Sequence, residues 1–321
     1  MKLDSNVILP LMSHIVQSPL WGQFKTKMGT PAIRVGDIQY TKHKIPLSDL
    51  YYGYAPKINP TTIDFETLKN SLKEENCVAI NLDVPNVEKD TPAGNEAQEL
   101  LAKHCIKAPK DTFAKSTIIL DLNESSEEIL KNMHKKHRYN IRYAAKKGVV
   151  VRKGTTEADF ETFYEILHEC AVRQKYFIHS KTYYKTIWEM FSKENKAHIL
   201  IAEHEEKPLS AWFLFNHEDI LYYPYGGSLA EKTNLQHSSA VGWAAIELGK
   251  NLGCHTFDMW GSLDDPTDTT DPWFGFTQFK MRFGGKHITF IDSYDFVINP
   301  SMYKLFNTAN TLRWKVLKLI K

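Results

Sequence analysis

The chain is 321 residues long, about twice an ordinary domain, so two domains with separate cores are expected. With 42% apolar, 12% aromatic and 24% charged residues it has the make-up of a folded globular protein, which excludes a disordered or collagen-like chain. The net charge of +2 conceals a segregation: residues 131–153 hold nine Lys/Arg and no Asp/Glu, whereas residues 1–130 hold 14 against 17 and residues 154–321 hold 17 against 21.

At the N-terminus, MKLDSNVILPLMSH has a short apolar run broken by Pro10 and preceded by Asp4, unlike a signal peptide. No window reaches the roughly 18 uncharged apolar residues of a membrane span, so a cytoplasmic protein is expected. SPLWGQFKTKMG reads as a short amphipathic helix, AIRVGDIQY and CVAINLDVP as strands, and ETLKNSLKEE and NEAQELLAKH as helices. The β-rich run STIILDL leads into NESSEEILKNM, a helix capped by Asn123 or Ser125 whose first turn holds Glu127 and Glu128. That helix is expected to continue into the basic stretch.

A second alternation begins near residue 148. GVVVRKG reads as a strand, ADFETFYEILHECAVRQ as a helix, a further helix ends before Asn195, and three strand-like runs joined at EEKP and NHED form an antiparallel meander. SAVGWAAIELGKNLGC is a helix ended by Gly253, HTFDMWGS a strand, and the aromatic-flanked FTQFKMRFGG a strand as well. The last segment, SMYKLFNTANTLRWKVLKLIK, aligns Leu305, Ala309, Leu312, Val316 and Leu319 on one helical face, expected to pack on the protein, with a membrane-surface anchor as the alternative. The fold class is mixed α+β.

Cys77, Cys105, Cys170 and Cys254 show no CxxC or Cys/His ligand spacing, so neither a disulfide framework nor a zinc site is suggested. DDPTDTTD lacks the Gly and Glu positions of an EF-hand loop. With no GxSxG, GxxxxGK[ST] or GxGxxG, serine-hydrolase, P-loop and dinucleotide chemistry have no support, and neither metal nor cofactor is expected.

Three segments could carry chemistry. In KNMHKKHRYNIRYAAKKGVVVRK, Lys131, Lys135, Arg138, Arg142 and Lys146 recur every three to four residues as a helical cationic ridge, with Met133, Ile141 and Ala145 inward. It is either a contact for nucleic acid, nucleotide or lipid phosphate, or a solvated face balanced by Glu124, Glu127 and Glu128. In DPWFGFTQFKMRFGGKH, Lys280 lies among Phe276, Phe279 and Phe283. A lysine so enclosed either stabilises negative charge developing on an acyl carbonyl or merely pairs with a carboxylate or aromatic face. In LYYPYGGS, Tyr222, Tyr223 and Tyr225 precede Gly226 and Gly227, where a ligand or another backbone approaches closely, or where a core strand simply turns.

QSPLWGQFK, STIILDLNESSEEILKNMHKKHRYNIRYAAKKGVVV, YYPYGGS with NLQHSSAVGWAAIELGKNLGCHTFDMWGS, and FGFTQFKMRFGG stand in the order of similar segments in the Fem (FemABX) family of peptidoglycan-bridge aminoacyltransferases, which the chain resembles over nearly its whole length. The resemblance implies two GNAT-like (acyl-CoA N-acyltransferase-type) domains around a cleft. Residues 1–145 with 297–321 would bind the acceptor precursor, the C-terminal helix returning to this domain, and residues 146–296 would bind aminoacyl-tRNA and carry the catalytic lysine. Because GVVVRKG follows the basic helix directly, this looks like the shorter type without a coiled-coil arm.

The implied reaction moves an amino acid from aminoacyl-tRNA to a free amine of a peptidoglycan-precursor stem peptide, nucleotide-linked or lipid-linked. A peripheral contact with the inner membrane face and the oligomeric state stay open. Lys280 matches the family's catalytic lysine, with Phe279 beside it, and Lys25, next to Trp21 in WGQFK, matches a phosphate-holding lysine. Tyr183 and Tyr225, the latter followed by Gly226, match acceptor-site tyrosines, and Asp83 lies near a family aspartate and is a candidate proton acceptor. His179 stands where the family has an arginine. Lys135, Arg138, Arg142 and Lys146 would meet tRNA phosphates. The turn NLQHSSAVG lacks the RxxGxG/A pattern that cradles a CoA pyrophosphate, which favours the tRNA donor over acyl-CoA. The rivals are a GNAT-type N-acyltransferase on another amine and a non-catalytic tRNA- or membrane-surface-binding protein.

Overall fold

The computed structural model describes residues 13–231 and 233–319. The reading made of residues 1–12, and the side chains of Leu312, Val316 and Leu319, lie outside that description. The chain divides into two compact units, an N-terminal one of Leu9–Lys115 with Phe290–Lys321 and a central one built on Ser116–Thr289.

The N-terminal unit opens with α1 (Pro19–Lys27), started by Ser18, whose side chain accepts from the Trp21 N–H, and by Pro19, whose fixed φ suits a first turn. AIRVGDIQY is a hairpin and not one strand. β1 (Ala32–Val35) and β2 (Ile38–Lys44) pair antiparallel across Gly36 at φ +57°, a conformation glycine takes without a Cβ clash. β3 (Tyr51–Pro56) follows, then α2 (Phe65–Glu74), which crosses over to the parallel β4 (Cys77–Asp83), then α3 (Pro92–His104) and the short β5 (Ile106–Lys107). Leu68 and Leu72 of α2 and Ala97 and Leu101 of α3 pack with Ile80 and Leu82 of β4, all fully buried.

The central unit begins with β6 (Ser116–Asp121), α4 (Ser126–Asn132) and α5 (Lys135–Lys146). The helix expected to run unbroken into the basic stretch is therefore two helices. Met133 is extended and buried, the His134 side chain caps α5, and the Arg138 guanidinium bonds the carbonyls of Lys131 and Met133. β7 (Val150–Gly154), α6 (Glu157–Gln174), α7 (Lys181–Lys193), β8 (Ala197–His204), β9 (Lys207–His217) and β10 (Ile220–Ser228) come next. Then α8 (His237–Asn251), β11 (Thr256–Ser262), α9 (Phe274–Met281) and β12 (Lys286–Thr289) complete the unit. Its sheet runs β12-β6-β11-β10-β9-β8-β7, antiparallel except for the β10/β11 pair. Because β6 is zipped to both β11 and β12, the boundary falls at residues 115/116 and not after residue 145, and α4 and α5 belong here.

The chain returns to the first sheet at β13 (Tyr294–Val297), inserted between β4 and β5 to give the order β1-β2-β3-β4-β13-β5, and ends in α10 (Pro300–Leu319). α10 belongs to the N-terminal unit, but not through the expected face. Tyr303 is buried and its hydroxyl donates to Asp295 Oδ2 at 2.6 Å, and Phe306 stacks on Tyr52 at 4.9 Å, while Leu305 is 61% exposed and Ala309 faces solvent. The two described apolar positions of the periodic stripe are thus off the packing side. Mixed α+β, in two units, is the class the sequence led one to expect.

Candidate active site in the central unit

β10 and β11 are parallel but pair only over Ile220–Tyr222 against Thr256–Asp258. Past this point β10 is irregular against β9 between Tyr222 and Tyr225, and β11 bulges against β6 between Asp258 and Gly261. Two bulges at one level end the parallel ladder, as bulges do where a sheet must re-aim its strands. Trp260 sits in the second bulge at φ +61°, a conformation that costs a bulky residue on the order of 1–3 kcal/mol and clusters at functional sites. The Asp258 carboxylate accepts from the Trp260 N–H at 2.7 Å and from the Thr117 hydroxyl, so the bulge is braced from its own strand and from β6.

The third brace is Lys280. Its segment is the helix α9 and not the expected strand: Phe276 and Lys280 lie four residues apart, a helical interval that places them on one side. Nζ donates to the carbonyls of Met259 at 2.5 Å and Gly261 at 2.8 Å, and lies 3.5 Å from that of Trp260. The Phe276 ring centroid is 3.8 Å away and that of Tyr223 5.5 Å. With the residue 1% exposed, burial pulls its pKa well below the ordinary lysine range and the Asp258 carboxylate opposes the shift. A ring of carbonyl acceptors and an aromatic face suit an ammonium, which has three donors and no acceptor. Phe279 points elsewhere, into a cluster with Phe283 at 5.4 Å and His137 at 5.3 Å.

From Lys280 an aromatic wall leads along β10. Tyr223 stacks on Trp212 at 3.6 Å, and a Cβ at Gly226 would stand 2.7 Å from Tyr223 Cε2 and 2.9 Å from Trp212 Cδ1, so only glycine lets the strand cross that stack. Tyr184 meets Tyr225 edge-on at 4.9 Å, Tyr225 hydrogen-bonds Tyr183, and the His179 ring stacks on Tyr183 at 3.9 Å. Burial raises Tyr183 to about 12 and Tyr225 well above the ordinary tyrosine range, so both keep their hydroxyl protons at neutral pH. The structure thus joins Lys280, Gly226, Tyr225, Tyr183 and His179 within one unit. Sequence reasoning missed Asp258, Trp260 and Thr117, for which the Trp-Gly pair in HTFDMWGS is the single local hint.

Lys25, Trp21 and Asp83 belong to the N-terminal unit. Lys25 is half-buried on α1 and burial lowers its pKa; burial and, after it, the Lys25 charge lower that of His43, while Trp21 packs edge-on against Phe24 at 5.7 Å. Asp83 is fully buried and accepts from the Thr112 N–H on Oδ1 and from the Tyr54 hydroxyl and Phe113 N–H on Oδ2, while the Ser293 hydroxyl, whose one proton Asp83 shares with Asp111, lies 2.8 Å from Oδ1. Donors from a β3 tyrosine and from the loop at residues 112–113 make Asp83 a clamp between β4 and its neighbouring segments, a structural use of the carboxylate.

On α5 the expected ridge is partly rearranged. Lys135, Arg142 and Lys146 are exposed and, among the described residues, form no ion pair, but Arg138 is turned back onto α4. Of the acidic neighbours, Glu128 pairs with Lys131 at 3.2 Å.

The FemAB family matches residues 106–207 and 201–311. Over 314 aligned residues, 75% of this chain and 73% of the relative, the chain is 20% identical to a lipid II:glycine glycyltransferase of Staphylococcus aureus strain USA300. Among solved structures, FemX superposes with a TM-score of 0.81 at 17% identity over 91% of this chain and 94% of that one. L-PGS from Bacillus licheniformis gives 0.55 at 13% identity over 92% and 96%. These superpositions concern the fold.

Proposed function

Because the chain belongs to the FemAB family, we propose that it is an aminoacyltransferase of peptidoglycan-bridge formation, carrying an amino acid from aminoacyl-tRNA to the free amine of a precursor stem peptide. The observation that supports this most is the family match taken together with a relative named for glycyl transfer to lipid II. The central unit takes the donor and carries Lys280. The amine attacks the ester carbonyl, a C–N bond forms, the C–O bond to the ribose breaks, and the proton lost by the amine ends on the departing ribose hydroxyl. The ester supplies its own driving force, so the step needs no cofactor.

The tetrahedral intermediate carries a negative oxygen. Two carbonyls occupy two N–H groups of Lys280, and the third, only 3.5 Å from the Trp260 carbonyl and so weakly engaged, is the donor assigned to that oxygen. In a dry, low-dielectric setting such a charge acts far more strongly than in water. Tyr183, Tyr225 and Gly226, with His179 at the end of the aromatic wall, line the acceptor peptide, and Lys25 with Trp21 holds acceptor phosphate. Lys135, Arg142 and Lys146 attract tRNA phosphates.

The test is to incubate the full chain with radiolabelled aminoacyl-tRNA pools and either nucleotide-linked or lipid-linked precursor. Label is expected in one precursor form. Label in neither, with acetyl transfer from acetyl-CoA to an amine instead, would replace this reading by a GNAT-type acyltransferase.

A further inference from the structure

The outer face of α5 is built from two residue types. Lys135, Lys136, Tyr139, Arg142, Tyr143, Lys146 and Lys147 recur at three- and four-residue steps, so all seven share one side of the helix, while His137, Asn140, Ile141 and Ala144 fill the other and are buried. Tyr139 is 62% exposed and stacks on Tyr143 with ring centroids 5.7 Å apart and planes 25° from parallel. Lys147 Nζ lies 5.6 Å from the Tyr143 centroid. Among the described residues no carboxylate pairs with any of these cations.

Free cations alone would suit any polyanion, and the tyrosines narrow the choice. Insertion as an amphipathic helix into an anionic membrane calls for an apolar face, yet Met133, Ile141 and Ala144 all point into the core and the strip offers only hydroxylated rings. Base-paired RNA hides its base faces and is held through phosphate and 2′-hydroxyl contacts. Unpaired bases present their faces, stack on aromatic side chains and are steadied by cations that follow the backbone. We propose that this strip binds single-stranded RNA, with Tyr139 as the platform on which an unpaired base stacks. The inference rests on the proposed tRNA donor, whose unpaired segments would be the ligand. The strip also adjoins α9, because the His137 ring on its inner side meets Phe283 at 4.2 Å and the His134 N–H donates to the Arg282 carbonyl at 3.0 Å.

The probe is a fluorescent single-stranded RNA oligonucleotide, compared by anisotropy with a duplex of equal length and with phosphatidylglycerol vesicles, using the full chain. The single strand should bind more tightly than the duplex. Tyr139→Ala should weaken it about 5- to 100-fold, as loss of one base–aromatic stack does, with Tyr139→Phe restoring binding. Arg142→Gln with Lys146→Gln should reduce the slope of log affinity against log salt by about 1.4, at about 0.7 per phosphate contact on a single strand. Equal binding of duplex and single strand, or no difference between Tyr139→Ala and wild type at unchanged helicity, overturns the proposal. So does vesicle binding that these variants abolish without any RNA binding.

The two readings separate in the transfer assay. Aminoacyl transfer whose KM for aminoacyl-tRNA ignores Tyr139→Ala removes the strip and keeps the donor, whereas Tyr139-dependent RNA binding without transfer does the reverse.

Discussion

The ammonium of Lys280 spans Trp260, bonding the carbonyls of the residues on either side of it while Trp260 holds φ +61°. A backbone in that region persists only where its surroundings over-determine it. Here a buried cation from α9 does so, which ties the conformation of β11 to the same residue that is proposed to meet the oxyanion.

Lys280→Met should lower turnover about 100- to 1,000-fold, the usual effect of losing one oxyanion donor, with little change in acceptor KM. Steady-state kinetics with each substrate varied would check it, and unchanged turnover would remove Lys280 from the chemistry. The brace can be measured separately. In a Trp260→Gly background the left-handed backbone needs no support, so Lys280→Met should cost less stability there than in the wild type, a coupling of about 1–2 kcal/mol in a double-mutant cycle.

Asp83→Asn should cost about 1–3 kcal/mol, because either placement of the amide N–H₂ faces one obligate donor, the Thr112 or the Phe113 N–H. Calorimetry should show the lower Tm, and turnover per folded molecule should persist. Normal thermal stability with abolished turnover would instead reinstate Asp83 as a proton acceptor.

Burial holds His137 neutral, lowering its pKa to about 4 from an unfolded value of 6.5. Between those values the unfolded chain binds the extra proton, so this contribution to stability is present above pH 6.5 and is lost as pH falls towards 4. About 2–3 kcal/mol should disappear across that window. Urea denaturation at several pH values would read it, and His137→Phe should flatten the slope. His217, lowered to about 4 as well, acts in the same sense and leaves a remainder.

Gly242→Ala should destabilise despite alanine's better helix propensity. The added Cβ would stand 2.9 Å from Phe283 Cε1 and 3.0 Å from Trp212 Cη2, and such overpacking costs about 1–3 kcal/mol against about 1 kcal/mol gained. Since both rings flank the Lys280 helix, kcat should fall together with the Tm.

Periodicity carried most elements, because an amphipathic helix such as α2 or a strand such as β4 must show its buried face in the sequence. It failed where the evidence was two-dimensional. Ala32–Lys44 has continuous β character, and only the Gly36 conformation shows that the run doubles back. In FTQFKMRFGG the dense aromatics suggested a strand, although the interval from Phe276 to Lys280 was helical. Charge periodicity put Arg138 on the basic ridge, but a long guanidinium can turn to carbonyls left open by a broken helix, which no spacing rule records. The Lys280 setting was half legible. Its aromatic neighbours stand beside it in the chain, whereas Met259 and Gly261 come from a strand some 20 positions earlier.

The His134–Arg282 hydrogen bond and the packing of His137 on Phe279 and Phe283 mean that α5 cannot detach without exposing the support of α9. The two helices therefore form one opening unit, and slowing of amide exchange at His134 on RNA binding would be accompanied by the same slowing at Phe283, across a gap of nearly half the chain's sequence.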